Sequence, residues 1–242
     1  MRLCSKLLSL GTVLLSSTVF ASADTIASSS ATVTFAGYTT TAPDPSTLPT
    51  GGAATYNLDP GNPMAEPGTF WFGPLAGSSW VGSTPTSGPV GTVNPPKGYY
   101  VYDYAFTPSG GAGNYSLSLS VLGDDTVEVV LNGTVLIPFG GLGDDHHCAN
   151  SAPGCDQGTI YTLPLTNVFF GSSENLSFVV REAGFEPAGG GGTGDPSGLD
   201  FVGGFTPGRS GSLTPEPGTL LLLGTGLIGA AGTVYRRLRT RQ

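Results

Sequence analysis

Apolar and polar residues alternate most cleanly where Tyr115, Leu117, Leu119 and Val121 are separated by Ser116, Ser118 and Ser120. Side chains two apart in a strand share a face, so this stretch predicts a half-buried β-strand. Tyr100, Tyr102, Tyr104 and Phe106 repeat the same period and line one face of a second strand. Residues 126–131 and 134–137 are β-rich runs joined by Asn132-Gly133. That dipeptide suits a type I′ hairpin turn, which needs positive φ at both positions. In this hairpin Val127, Val129 and Leu131 are expected in the core, with Glu128 in solvent and Val130 on the same side as Glu128. Shorter apolar runs lie at 31–38, 69–72, 79–81, 160–163, 167–170, 176–180 and 199–205. Residues 43–67 and 83–97 are rich in Pro and Gly and read as long loops, the first with a short strand embedded. Residues 189–194 read as a flexible Gly-rich tip. No amphipathic helix pattern appears between residues 24 and 214. The expected fold is therefore all-β, an antiparallel β-sandwich rather than a barrel, since nothing indicates closure.

Both ends depart from this pattern. Arg2 and Lys6 precede an apolar stretch over 7–20 that ends in Ala21-Ser22-Ala23. This is the layout of a secretory signal peptide, a signal helix cut between Ala23 and Asp24. At the other end, Pro215-Glu216-Pro217 breaks the chain, residues 218–235 carry no charge, and Arg236, Arg237, Arg239 and Arg241 follow. An apolar run with basic residues beyond it predicts a transmembrane helix with its C-terminal end in the cytoplasm. As a helix it would be roughly 27 Å long. The chain thus divides into 1–23, an ectodomain over 24–214, and 215–242.

Separating the ends changes the charge picture. All 17 acidic residues lie between Asp24 and Glu216, whereas that stretch holds only Lys97, Arg181 and Arg209 as basic residues. A nucleic-acid partner would need a basic stripe, and there is none. An acidic surface keeps an exported protein soluble and attracts cations. With 39 Gly and 20 Pro in 242 residues, the composition also argues against a helical protein. Cys148 and Cys155 are the cysteines left after signal removal, and an oxidising compartment argues for a disulfide between them. It would close a small loop and stabilise by about 2–3 kcal/mol.

Candidate chemistry is sparse. Asp144, Asp145, His146 and His147, with Asp156 beyond the second cysteine, form the densest polar cluster. Imidazole and carboxylate suit zinc or another transition metal. Adjacent strand residues point to opposite faces, however, and no His-x-x-x-His spacing occurs, so a solvated loop is the competing and favoured reading. Asp124-Asp125 offers carboxylates to Ca2+, which takes roughly six to eight oxygens. Lying between two strands, the pair is more simply expected to shape a turn. No cofactor is required, and Ca2+ or another divalent metal is left as an open option. Trp71, Trp80, Tyr38 and Tyr56 are candidates for an aromatic platform under sugar rings, weighed against ordinary core packing. There is no Gly-x-Ser-x-Gly elbow and no P-loop, and no carboxylate pair stands out for glycoside hydrolysis.

Two resemblances follow from these residues. Pro215-Glu216-Pro217, the Leu/Gly-rich span and the terminal Arg cluster together resemble the PEP-CTERM sorting signal of Gram-negative bacteria. That resemblance implies recognition by an exosortase, a membrane protease-transferase, with passage through the inner membrane. It further implies release or re-anchoring at the cell surface or extracellular matrix, in the setting of exopolysaccharide and biofilm production. The second resemblance runs through Trp80-Val81, Gly98-Tyr99-Tyr100-Val101-Tyr102, the Ser/Leu strand, residues 123–133, residues 175–180 and Ser197-Gly198-Leu199-Asp200-Phe201. This order is similar to the galactose-binding-like jelly roll of carbohydrate-binding modules. It implies a non-catalytic binder of extracellular polysaccharide. The alternative is a structural or adhesive matrix protein without a small-ligand site, and a secreted hydrolase ranks third.

Overall fold

Twelve strands appear in the computed structural model, which describes residues 23–61, 71–91, 93–142, 148–184 and 195–208. In chain order they are β1 (Asp24–Ala27), β2 (Thr34–Thr39), β3 (Ala53–Ala54), β4 (Tyr56–Asn57), β5 (Val81–Gly82), β6 (Gly98–Phe106), β7 (Gly113–Asp124), β8 (Thr126–Leu131), β9 (Thr134–Ile137), β10 (Tyr161–Phe170), β11 (Glu174–Glu182) and β12 (Gly198–Pro207). They form two antiparallel sheets. The first has the order β10-β7-β12-β5-β4, with β1 also paired to β12; the second has the order β3-β2-β6-β11-β8-β9. The signal segment, the C-terminal span and its Arg cluster lie outside the described residues. Among the described residues no helix is long and apolar enough to cross a membrane.

The alternating patterns point inward as the two-residue period requires. Tyr115, Leu117, Leu119 and Val121 of β7 are buried, whereas Ser118 is exposed and Ser116 and Ser120 are half-buried. Tyr100 and Tyr102 of β6 join the same core, with Tyr104 and Phe106 packed against it. The sheets meet through aromatic contacts. Phe178 of β11 stacks on Phe201 of β12 with ring centroids 4.2 Å apart, and Phe106, Tyr115, Phe170 and Phe205 pack together at the far end. Full burial of one such side chain is worth roughly 1.5–3 kcal/mol.

The hairpin forms in the expected register. Val127, Val129 and Leu131 are buried, and Asn132 and Gly133 have φ of 47° and 83°. Its other face differs from the expectation: Val130 is buried and Glu128 is half-buried rather than exposed. Burial pushes the Glu128 carboxyl above its ordinary range. The outer face of the second sheet is covered, with Val101, Asp103 and Val179 also buried. Part of the cover is the segment after β2, whose Gly51 N–H donates to Asp103 Oδ2 at 2.8 Å and whose Pro43, Pro45 and Leu48 are half-buried. A surface loop in sequence is therefore a strap in the fold. The runs at 160–163 and 167–170 are likewise one strand, β10, with an irregularity between Leu165 and Val168 where Asn167 takes φ 59°.

The hairpin gives the first prediction. Gly133→Val forces a β-branched residue into positive φ and should cost about 1–3 kcal/mol in urea unfolding. Glu128→Gln should stay within about 0.5 kcal/mol. Equal stability of wild type and Gly133→Val would contradict this turn.

Candidate metal centre

Several chain crossings converge at one end of the sandwich. β7 lies in the first sheet and β8 in the second, with Asp124 closing β7 and Asp125 between the two strands. The pair therefore crosses between sheets, which corrects the expectation of a simple turn. The peptide joining them is cis. Glu182 closes β11 opposite Gly98, and Gly198, which opens β12, pairs with Asp124. Asp195 lies just before β12 and is positioned by its own N–H, which donates to Asn94 Oδ1 at 3.1 Å.

These elements bring together acids that are far apart in sequence. Single carboxylate oxygens of Asp125, Glu182 and Asp195 lie within 4.8 Å of one another. Asp124 acts on Glu182 electrostatically from beside them. Burial is nearly complete, with relative exposures of 1% for Asp124, 0% for Asp125, 1% for Glu182 and 6% for Asp195. Three neutral N–H groups donate into the cluster. Trp71 Nε1–H donates to Asp124 Oδ2 at 2.6 Å, the Ala183 N–H to Asp125 Oδ2 at 2.6 Å, and the Gly184 N–H to Glu182 Oε1 at 3.2 Å. Asp124 Oδ1 and Glu182 Oε2 are buried and find no hydrogen-bond partner among the described residues.

Two like charges 4.8 Å apart repel by about 3–4 kcal/mol at an effective dielectric of about 20. Enclosing each adds several kcal/mol of desolvation. Among the described residues, Arg181 and Lys97 do not relieve this. Arg181 precedes Glu182 on β11 and so points to the opposite face, and Lys97 is exposed. Burial, then the charges of Asp124, Asp125 and Asp195, push the Glu182 carboxyl up to about 12. Burial and the neighbouring Asp125 charge raise Asp124 in the same way. The cluster must hold protons or a cation. An all-oxygen set fits a hard divalent ion such as Ca2+ better than zinc, which favours nitrogen and sulfur ligands. The Glu182 oxygen that lacks a hydrogen-bond partner is a ligand atom such an ion would satisfy.

The sequence-level candidates fare differently. Trp71 and Trp80 are buried and stacked on each other, with centroids 4.2 Å apart. They form a second small core with Leu58, Leu122 and Cys155, so neither is a surface platform. Gly198 makes room for them, since a Cβ there would lie 2.5 Å from the Trp71 ring. Tyr38 and Tyr56 keep exposed rings. Cys148 and Cys155 form the expected disulfide, with Cα atoms 5.4 Å apart. Asp144, Asp145, His146 and His147 lie outside the described residues. Asp156 is exposed and caps a short 3-10 turn at Gln157–Thr159. Among the described metal-ligating groups it lies with the Cys148 and Cys155 sulfurs, which are joined in the disulfide and are not thiolates. Glu182 and Asp195 carried no sequence signal; the one available hint was Asp124-Asp125 at a strand end.

Residues 213–237 match the family model for the PEP-CTERM protein-sorting motif. No curated protein matches the chain. Among solved structures, the chain is similar to the Podospora anserina GH26-CBM35 beta-(1,4)-mannanase, at 16% identity and a TM-score of 0.25. The match covers 48% of this chain and 23% of that one.

The cluster predicts an inverted pH response. Glu182 holds its proton in the folded, cation-free protein and loses it above about 4.5 when unfolded, so stability falls as pH rises past that value. With chelator present, Tm should be higher near about pH 5 than near about pH 8. Calcium at about 100 times its Kd should restore about 2.7 kcal/mol at the higher pH. A Tm that rises over this interval in chelator and ignores calcium would refute the site.

Proposed function

We propose, from the PEP-CTERM sorting motif that residues 213–237 carry, that an exosortase processes this exported chain and leaves its β-sandwich at the cell surface or in the extracellular matrix. There the sandwich acts as a non-catalytic binder of extracellular polysaccharide, with a divalent cation, Ca2+ by its ligand set, fixing the loop end. The enclosed carboxylate cluster of Asp125, Glu182 and Asp195 carries the reading. Acids this buried cannot reach a scissile bond, but they can lock the loops that meet a ligand. Tyr38 offers an exposed stacking surface toward that end. The residue is 41% exposed, and its hydroxyl donates to Lys97 O at 2.7 Å, beside the Gly98–Glu182 pair. Sugar rings present apolar faces that stack on such an aromatic.

A polysaccharide array tests the binding. The exported chain should be retained on at least one extracellular glycan in calcium, lose retention in chelator, and lose it in Tyr38→Ala while calcium binding stays intact. Retention on no glycan would leave the matrix-structural role instead. Sorting is tested separately. Mature protein should end upstream of residue 218 by mass spectrometry, and Glu216→Ala should accumulate uncut in the inner membrane. Wild-type protein still ending at Gln242 would sink the processing step and leave a plain membrane anchor.

A further inference from the structure

We infer that the Cys148–Cys155 disulfide is a positioning device for the carboxylate cluster, so that the cation site is completed only in the oxidised chain. The inference rests on the cation reading above and adds the part of the molecule that sets its geometry. The disulfide closes a loop of sequence separation 7, and that loop is bonded to the Asp124–Asp125 crossing at successive points. The Gly123 N–H donates to Gly154 O at 3.0 Å, and the Ala149 N–H donates to Asp125 O at 2.9 Å. The buried Thr126 Oγ1 donates to Pro153 O at 2.6 Å and accepts from the Gly140 N–H at 2.7 Å. The loop thus holds the backbone at positions 123 and 125 and the side chain of Thr126.

Asp124 is reached by a second route. The Phe72 N–H donates to Cys155 O at 3.0 Å, and Trp80 Nε1–H donates to Phe72 O at 2.9 Å. Trp71, stacked on Trp80, then donates to the Asp124 carboxylate. Cys155 is itself buried in the small core with both tryptophans. A ring this small contributes only about 2–3 kcal/mol to global stability. The main sandwich core lies elsewhere, so opening the bond should spare the fold. A cation site is less forgiving, because its ligands need placing within about 0.5 Å. Forming the bond removes two electrons and two protons from the thiols and passes them to a disulfide of an oxidising partner, which leaves as a dithiol. The site therefore matures after export.

The test compares the oxidised exported chain, the same chain reduced with dithiothreitol, and Cys148→Ser/Cys155→Ser. Calcium is titrated by calorimetry, and amide exchange is followed without calcium. Both open forms should bind calcium at least about tenfold more weakly. The Gly123 and Ala149 amides should exchange faster, while Leu119 and Phe178 and the β circular dichroism stay unchanged. Equal affinity with equal exchange at Gly123 and Ala149 would overturn the inference. Global unfolding of the open forms would overturn it too, since the bond would then hold the sandwich rather than the site. If the oxidised chain binds no calcium, the cation reading falls separately, and the exchange result alone decides whether the disulfide positions the crossing.

Discussion

Enclosed negative charge is the constraint around which the loop end of this sandwich is arranged. Asp124, Asp125, Glu182 and Asp195 are buried where the chain passes from one sheet to the other. Such a group is tolerated only if something supplies positive charge or protons, because desolvation and mutual repulsion act in the same direction. The protein answers with dipoles. The Trp71 indole and the amides of Ala183 and Gly184 each turn an N–H toward a carboxylate. Neutral donors fix geometry but leave the net charge in place, which is why a hard divalent cation fits the arrangement.

The packing divides the labour between two apolar clusters. The larger fills the space between the sheets with Phe178, Phe201, Leu119, Val129 and their neighbours and makes the sandwich rigid. The smaller joins Trp71, Trp80, Leu58 and Leu122 to Cys155. Its tryptophans are half apolar filler and half hydrogen-bond donor, a combination that lets one small core both exclude water and aim a polar group. Mechanical stability thus resides in the sheets, and the fine placement of the carboxylates resides in the loops.

The proposed binding role uses this separation. Sorting depends on a linear segment, residues 213–237, that follows the sandwich in the chain. Recognition would depend on the loop end, where Tyr38 lies over the Lys97-Gly98 backbone. Other buried acids serve the frame alone. Asp200 accepts from Ser28 Oγ and the Leu75 N–H, tying β1 and a loop to β12, and Asp103 is satisfied by Gly51, Asn175 and Ser177. Satisfied carboxylates and the partly unsatisfied cluster are thereby distinguished within one molecule.

What the chain determined by itself was local. The two-residue period identified β7 and β6, Asn132-Gly133 defined a turn with positive φ at both positions, and the cysteine count called for one disulfide. The three-part C-terminus marked the sorting motif. Each of these depends on neighbours in sequence, where side-chain direction follows from strand geometry. Burial on a second face, by contrast, depends on what another segment lays over it. Val130 and Glu128 alternate like a solvent-facing pair and are covered by distant chain, and Trp71 and Trp80, open in sequence to a platform or to core packing, pack on each other. The cluster itself draws on the ends of β7 and β11 and the approach to β12, up to about 70 residues apart. No periodicity links them, and only the antiparallel crossing of the two sheets brings Glu182 and Asp195 to Asp124 and Asp125.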